Sequence, residues 1–298
     1  MASPKSAALV FRKGATALIT GAASGVGLAT AKLCASHGMN LILVDNNSSA
    51  LSSAKNAFSG VQVETHEVDV SSLESWGKLK STVEMNGRKL DFLHLNAGIG
   101  LNGKWTDSEY WQKIFDVNFF GVVHGVNTFY GHFDGSASEG GAGGAHKAIV
   151  VTASKQGITN PPGNAAYNAS KSAIKTLTEH LHYDLKKANP NTSVHLLVPG
   201  WTFTGLTAGE KTEKPAGAWA PEQVADFLYQ KMSQGKFYAI CPDNDVDWET
   251  DRKRMMWTMG DIVYEREPQS RWIDQYKKEA EETMAAMKLG EKQKGSSA

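Results

Sequence analysis

The chain has 298 residues, 41% of them hydrophobic and 21% charged, with 31 lysines and arginines against 31 aspartates and glutamates. That length can bury a sizeable core, and the low charge excludes global disorder. Zero net charge leaves no electrostatic footprint for nucleic acid, while two cysteines, Cys34 and Cys241, exclude a disulfide scaffold and suit a reduced, cytoplasmic protein. No apolar run approaches the ~20 residues of a membrane span. The first ten residues hold no apolar stretch of signal-peptide length. No histidine has metal-ligand spacing, so no metal site is expected.

The first two-thirds alternates short apolar runs with helix-compatible segments. Strands are expected over 17–20, 40–44, 61–67, 91–95, 148–152 and 193–198, with helices over 25–37, 47–57, 72–86, 107–129 and 165–188. The strands are rich in Val, Ile and Leu without strict alternation, as parallel strands buried on both faces should be. This predicts an α/β fold of Rossmann type, a doubly wound parallel sheet, over 1–242. A last strand is expected at 237–241. Beyond it, 243–298 reads as a C-terminal helical extension, with helices at 247–265 and 270–287 split near Pro268 and a polar tail from about Lys288. Two stretches interrupt the pattern: 131–146, with six glycines, reads as a flexible surface loop, and 201–220 as a substrate lid.

The first strand runs into Thr20-Gly21-Ala-Ala-Ser-Gly25-Val-Gly27, followed by a helix. Glycines there let the backbone turn tightly and approach a pyrophosphate, which the helix N-terminus then favours. Asp45 ends the second strand 18 residues after Gly27. A carboxylate there can accept both ribose hydroxyls of NAD and would repel the 2′-phosphate of NADP.

The spacing Gly-x-x-x-Gly-x-Gly resembles the short-chain dehydrogenase/reductase family. Further motifs match in order: Asn96-Ala97-Gly98, Asn118, Ser154, Tyr167-Asn-Ala-Ser-Lys171 and Pro199-Gly200-Trp-Thr-Phe-Thr204. The resemblance covers about 12–242. Tyr167 and Lys171 are four apart and share one helix face, so an ammonium can favour the phenolate, and Tyr167 can exchange a proton with a substrate oxygen. Ser154, 13 residues earlier, can hydrogen-bond the same oxygen.

The resemblance further implies a cofactor site made of Gly21, Ser24, Gly25, Val26, Gly27, Asp45, Asp69, Val70, Asn96, Ala97, Gly98, Tyr167, Lys171, Pro199, Gly200, Thr202 and Thr204. Within it Asp69 reads the adenine, Thr204 the nicotinamide amide and Lys171 the nicotinamide ribose. Asp69 is also a candidate N-cap for the next helix. Asn118 would support a water chain from Lys171. Ser24, Asn46 and Asn47 stand where NADP-preferring members often carry a basic residue, which again points to NAD. The resemblance also implies a homodimer or homotetramer built on 107–129 and 165–188. Leu95, where the family often has an asparagine, and Val-Val-Thr-Ala before Ser154 depart from its pattern.

Loops 99–105, 155–166 and 201–220 should face the substrate. They carry Trp105, Pro161, Pro162, Trp201, Phe203 and Trp219, with Trp201 and Phe203 as the pocket candidates. That composition suits a hydrophobic alcohol or ketone, cyclic or aromatic. The expected function is NAD(H)-dependent interconversion of a secondary alcohol and a ketone. The rivals are a redox-sensing NAD(H)-binding protein without turnover, and non-redox chemistry on the same scaffold. An intact Ser–Tyr–Lys set argues against the first, and the intact NAD fingerprint against the second.

Overall fold

The computed structural model describes residues 7–136, 144–209 and 211–290. Residues 137–143 of the glycine-rich stretch, Glu210 of the lid stretch and the tail from 291 lie outside the described residues.

Seven strands form one parallel sheet in the order β3-β2-β1-β4-β5-β6-β7. They are β1 (Thr16–Thr20), β2 (Asn40–Asp45), β3 (Val63–Glu67), β4 (Phe92–Leu95), β5 (Lys147–Thr152), β6 (Thr192–Val198) and β7 (Tyr238–Ile240). The expected doubly wound sheet is therefore present. Side-chain alternation along each strand feeds two cores. Leu18, Ile42, Val44, Leu93 and Ile149 face one way, against α3 (Leu73–Met85), α5 (Gly121–Phe129) and α7 (Ala165–Ala188). Ala17, Ile19, Leu41, Leu43 and Val150 face the other, against α1 (Gly25–Ser36) and α8 (Pro221–Ser233). With both faces covered, every position in β1 is buried, which explains why the sequence pattern lacks alternation.

Helix α2 (Ser48–Lys55) is capped by Asn47. The segment expected as one helix over 107–129 is three pieces: α4 (Ser108–Phe115), a π-helical turn (Asp116–Phe120) and α5. Two helices, α6 (Gln156–Thr159) and α8, have no counterpart in the expected elements. Helix α8 carries a readable start signal, Pro221 at its first position, with the Gln223 side chain accepting the Ala220 N–H (2.9 Å). Beyond β7 come α9 (Trp248–Val263), a 3-10 turn (Ser270–Trp272) and α10 (Asp274–Ala286), close to the expected pair. They enclose a small core of their own. Trp257 is buried, its indole N–H donating to Ser270 Oγ (2.9 Å), and Ser270 Oγ donates to Asp261 Oδ1 (2.6 Å). Arg266 closes the cluster, pairing with Asp261 (3.0 Å) and lying 3.9 Å over the Trp257 ring. Among the described residues no helix is long and apolar enough to cross a membrane.

Candidate active site

A cleft of about 1590 Å³ opens at the C-terminal ends of the strands, around the point between β1 and β4 where the order reverses. One end is backbone. Gly21 (φ +64°) and Gly25 (φ +52°) both sit in the left-handed region. A Cβ on Gly21 would lie 3.0 Å from Ala97 Cα, and one on Gly25 would lie 3.2 Å from Thr204 Cγ2. Gly27 is more constrained: a Cβ there would lie 2.1 Å from Gly21 O. It stands behind the wall and permits the close crossing of α1 over β1, while Gly21, Ser24, Gly25 and Val26 line the cleft. No side chain caps α1 and no acidic residue lies in its first turn, so its dipole end faces the cleft uncompensated.

Asp45 reaches the rim of this end, held by the Ala23 N–H (3.1 Å) and the Asn47 N–H (3.2 Å). Asp69 and Val70 follow β3 on the same wall. Asp69 accepts the N–H and hydroxyl of Ser71, and it is Ser72, not Asp69, that caps α3. Asn96, Ala97 and Gly98 cross the floor. The Thr20 hydroxyl accepts the Asn96 and Ala97 N–H groups (2.9 and 3.0 Å). Asn96 Oδ1 accepts from Thr152 Oγ1 (3.1 Å), which in turn lies 2.8 Å from His94 Nε2. Burial pushes His94 down to about 3, so its ring is neutral, and Nε2 must carry the proton to donate to Thr152. Nothing in the sequence pattern marks this fully buried histidine of β4 as a support of the floor.

The other end is side chains. Ser154 follows β5, and Tyr167 and Lys171 project from the first turns of α7. Asn164 caps that helix, accepting the Tyr167 N–H (3.3 Å) and the Tyr110 hydroxyl (2.6 Å) while donating to Leu101 O (3.0 Å). An asparagine three residues before Tyr167 is the sequence signal for this cap. Lys171 is buried, donates to Thr152 O (3.0 Å), and has its Nζ 5.8 Å from the Tyr167 ring centroid. Burial pushes Lys171 down to about 8. The expected depression of Tyr167 by the ammonium is corrected here. Burial is the larger influence and raises the phenol above its ordinary value, with the Ser154 hydroxyl beside it working the other way.

Asn118 sits on the π-turn, fully buried behind the wall. It accepts the Ile99 N–H (2.8 Å) and donates to Ile99 O (3.0 Å). A Cβ on Gly98 would lie 3.2 Å from Asn118 Oδ1 and 3.5 Å from Lys171 Nζ, so the glycine brings these groups together. Pro199, Gly200, Trp201, Thr202 and Thr204 follow β6 along the wall. Thr202 bridges Trp219, and Leu206 reaches across the cleft to within 3.1 Å of a Cβ built on Gly100.

The aromatic expectation needs correcting. Of the six residues named, only Trp201 lines the cleft. Phe203 is off the wall, its N–H bonded to Trp219 O (2.9 Å). Trp105 is 80% exposed against Trp111, and Trp219 packs on Phe227 of α8. Ile99, Leu206 and Trp201 supply the apolar surface instead.

Residues 15–215 match the family described as short chain dehydrogenase. SadH of Mycobacterium tuberculosis is 32% identical over 241 residues, covering 75% of this chain and 84% of that protein. The 3beta-hydroxysteroid dehydrogenase 2 of Eggerthella lenta is 30% identical over 210 residues, covering 68% and 77%. Among solved structures, a Burkholderia phymatum short-chain dehydrogenase/reductase in complex with NAD superposes with a TM-score of 0.73 at 30% identity, covering 86% and 96%. An alcohol dehydrogenase from Thermococcus sibiricus, complexed with 5-hydroxy-NADP, gives 0.64 at 25%, covering 73% and 90%. The family match spans two-thirds of the chain and the fold superposes on a solved member, so this oxidoreductase belongs to the short-chain dehydrogenase/reductase family.

Proposed function

We propose that the chain interconverts a secondary alcohol and a ketone with NAD(H), Tyr167 acting as the acid/base. The observation that carries this reading is the convergence of Ser154, Tyr167 and Lys171 on one wall of a cleft whose other end is the Gly21–Gly25 turn. That turn fits a dinucleotide, since side chains at Gly21 or Gly25 would fill the approach to the helix N-terminus. When bound, the cofactor supplies or accepts the hydride. Tyr167 gives the substrate oxygen a proton in reduction and takes one in oxidation. Its raised pKa suits the donor role, and Ser154 holds the same oxygen. Lys171, near 8, is still charged at neutral pH and favours the phenolate once the proton has left. Asn118, fixed by Ile99, backs the Lys171 end of the proton route.

Asp45 supports NAD over NADP, because its carboxylate is at the rim with Asn46 and, among the described residues lining that end, no basic one beside it. An uncharged hydrophobic substrate, a ring alcohol included, suits the Ile99, Leu206 and Trp201 surface, and a similar protein is named as a hydroxysteroid dehydrogenase. A homodimer or homotetramer in the cytoplasm completes the reading, with exposed Phe120 and Tyr183 on the helices expected to form its interface.

The test follows nicotinamide absorbance with NAD(H) and NADP(H) against cyclic and aromatic ketones and alcohols. Tyr167→Phe should lose about 10²–10⁴-fold in kcat while still binding NADH. Equal turnover by Tyr167→Phe would refute the mechanism. Tight NADH binding with no turnover on the panel would favour the sensing alternative.

A further inference from the structure

Lys155 stands next to Ser154 and, like it, lines the cleft, while its ammonium reaches the segment beyond β7. Its Nζ lies 2.6 Å from Asp251 Oδ2, in the first turn of α9, and 3.3 Å from Asp243 Oδ2, just after β7. The Asp251 and Asp243 carboxylates are 3% and 6% exposed and the lysine 16%, so the triad is shielded from water. Asp243 Oδ2 also accepts the Trp201 N–H (3.1 Å), and its Oδ1 accepts the Val246 N–H (2.8 Å). The Lys155 N–H points to Pro199 O (3.4 Å). A Cβ on Gly200 would lie 2.6 Å from Asp243 Oδ2 and 2.9 Å from Lys155 Nζ, so the ion group passes directly against that glycine. A second strut, Gln269 Nε2 to Asn160 O (3.1 Å), holds the far end of α6. Among the described residues, none beyond Thr207 lines the cleft itself.

We infer that Lys155 is a positioning residue: clamped by Asp251 and Asp243, it sets Ser154 against the Pro199–Trp201 turn, so the helices beyond β7 complete the active site without entering it. One ammonium joins three segments, the serine that meets the substrate oxygen, the turn after β6 and the start of α9. A shielded pair cannot drift as an exposed one can, because breaking it leaves an uncompensated buried charge. Small displacements of a group that orients substrate cost rate more than binding. The extension thus has a role that its lack of cleft residues conceals.

The kinetic test rests on the proposed reaction. Lys155→Met and Asp251→Asn should each lower kcat about tenfold or more, with the KM for NADH moving less than about threefold, since the Gly21–Asp45 end is untouched. The double variant should fall no further than the worse single one. Lys155→Arg, which keeps a cation between two carboxylates, should recover at least about a third of kcat. Lys253→Met, which breaks only the Lys253–Glu249 pair of the same helix, should leave kcat unchanged. A loss under twofold in Lys155→Met, additive losses in the double variant, or an NADH KM rising in step with the kcat loss would overturn the inference. If the wild type reduces no ketone, the proposed reaction fails, and amide exchange still decides the clamp. The N–H groups of residues 157–160 and of Trp201 should then exchange about tenfold faster in Lys155→Met with β1 and β4 unchanged. Wild-type protection there, or a loss spread evenly over the sheet, would refute it.

Discussion

The two ends of the cleft are made of different material. The end beneath β1 and β2 is backbone: a left-handed turn, a helix terminus and glycines that let chains approach within contact distance. The end beyond β5 and β6 is side chains held by other side chains: Asn164 under Tyr167, Asn118 behind Lys171, Asp243 and Asp251 on Lys155. A backbone site tolerates no added atoms but needs few partners. A side-chain site can be retuned, and it depends on residues distant in sequence.

Substitutions can break or sharpen that contrast. The largest effect is expected from Gly27→Ala, whose methyl would meet Gly21 O at 2.1 Å. Relief requires shifting α1 off β1, at about 3 kcal/mol or more. Thermal unfolding should show the loss and NADH titration should show binding abolished; a variant that binds normally would mean the backbone end is more pliable than its contacts suggest. Asp45→Ala sharpens the contrast from within, removing a side chain that this end relies on. Losing charged hydrogen bonds of about 2 kcal/mol should narrow the preference for NAD over NADP roughly 30-fold, read as the ratio of kcat/KM values.

Asn164→Ala should cost about 1–2 kcal/mol in denaturant unfolding, because it uncaps α7 and strands the Tyr110 hydroxyl. Lys171→Met should act with the opposite sign. It removes a desolvated ammonium, so the cofactor-free protein should gain about 1 kcal/mol, or about 2 °C in Tm, while losing activity. Its pH dependence follows from linkage. Lys171 titrates near 8 in the folded state and near 10.5 unfolded. Below pH 8 both states hold the proton; between the two values the unfolded state binds more, so this group makes stability rise with pH. The stability of the wild type relative to Lys171→Met, read from melting curves, should rise across that window, against the opposite slope that the buried thiols Cys34 and Cys241 give both proteins.

What could be read from the sequence follows the same division. The glycine turn, Asp45 and the Tyr167–Lys171 pair are local patterns, and the structure places them together on one cleft, with Gly27 just behind its wall. The Lys155 clamp spans residues 155 to 251, and no periodicity announces a partner that far away. The aromatics misled because composition says which loops carry rings, not which way they face: Trp105 lies on Trp111 and Trp219 on Phe227. A carboxylate before a helix suits either role, so Asp69 is a possible cap by pattern; an offset of three residues gives the cap to Ser72. The π-turn escaped notice because its side chains satisfy an ordinary helical pattern.

That turn stores one residue of slack. A π-turn holds one more residue than an α-turn, so α5 lies about 100° behind the phase that an uninterrupted helix of the same length would give it. Gly125 is thereby presented to Leu95 and Trp76, where a Cβ would lie 2.4 and 2.9 Å from them. Deleting Phe119 or Phe120 would remove the extra residue and the bulge together, and the regular α-helix left behind would keep Gly125 in the same place. Deleting Asn118 would instead take the Ile99 hydrogen bonds with it. A scan of one-residue deletions along 108–129 should therefore find its shallowest loss at 119–120 and a deeper one at Asn118.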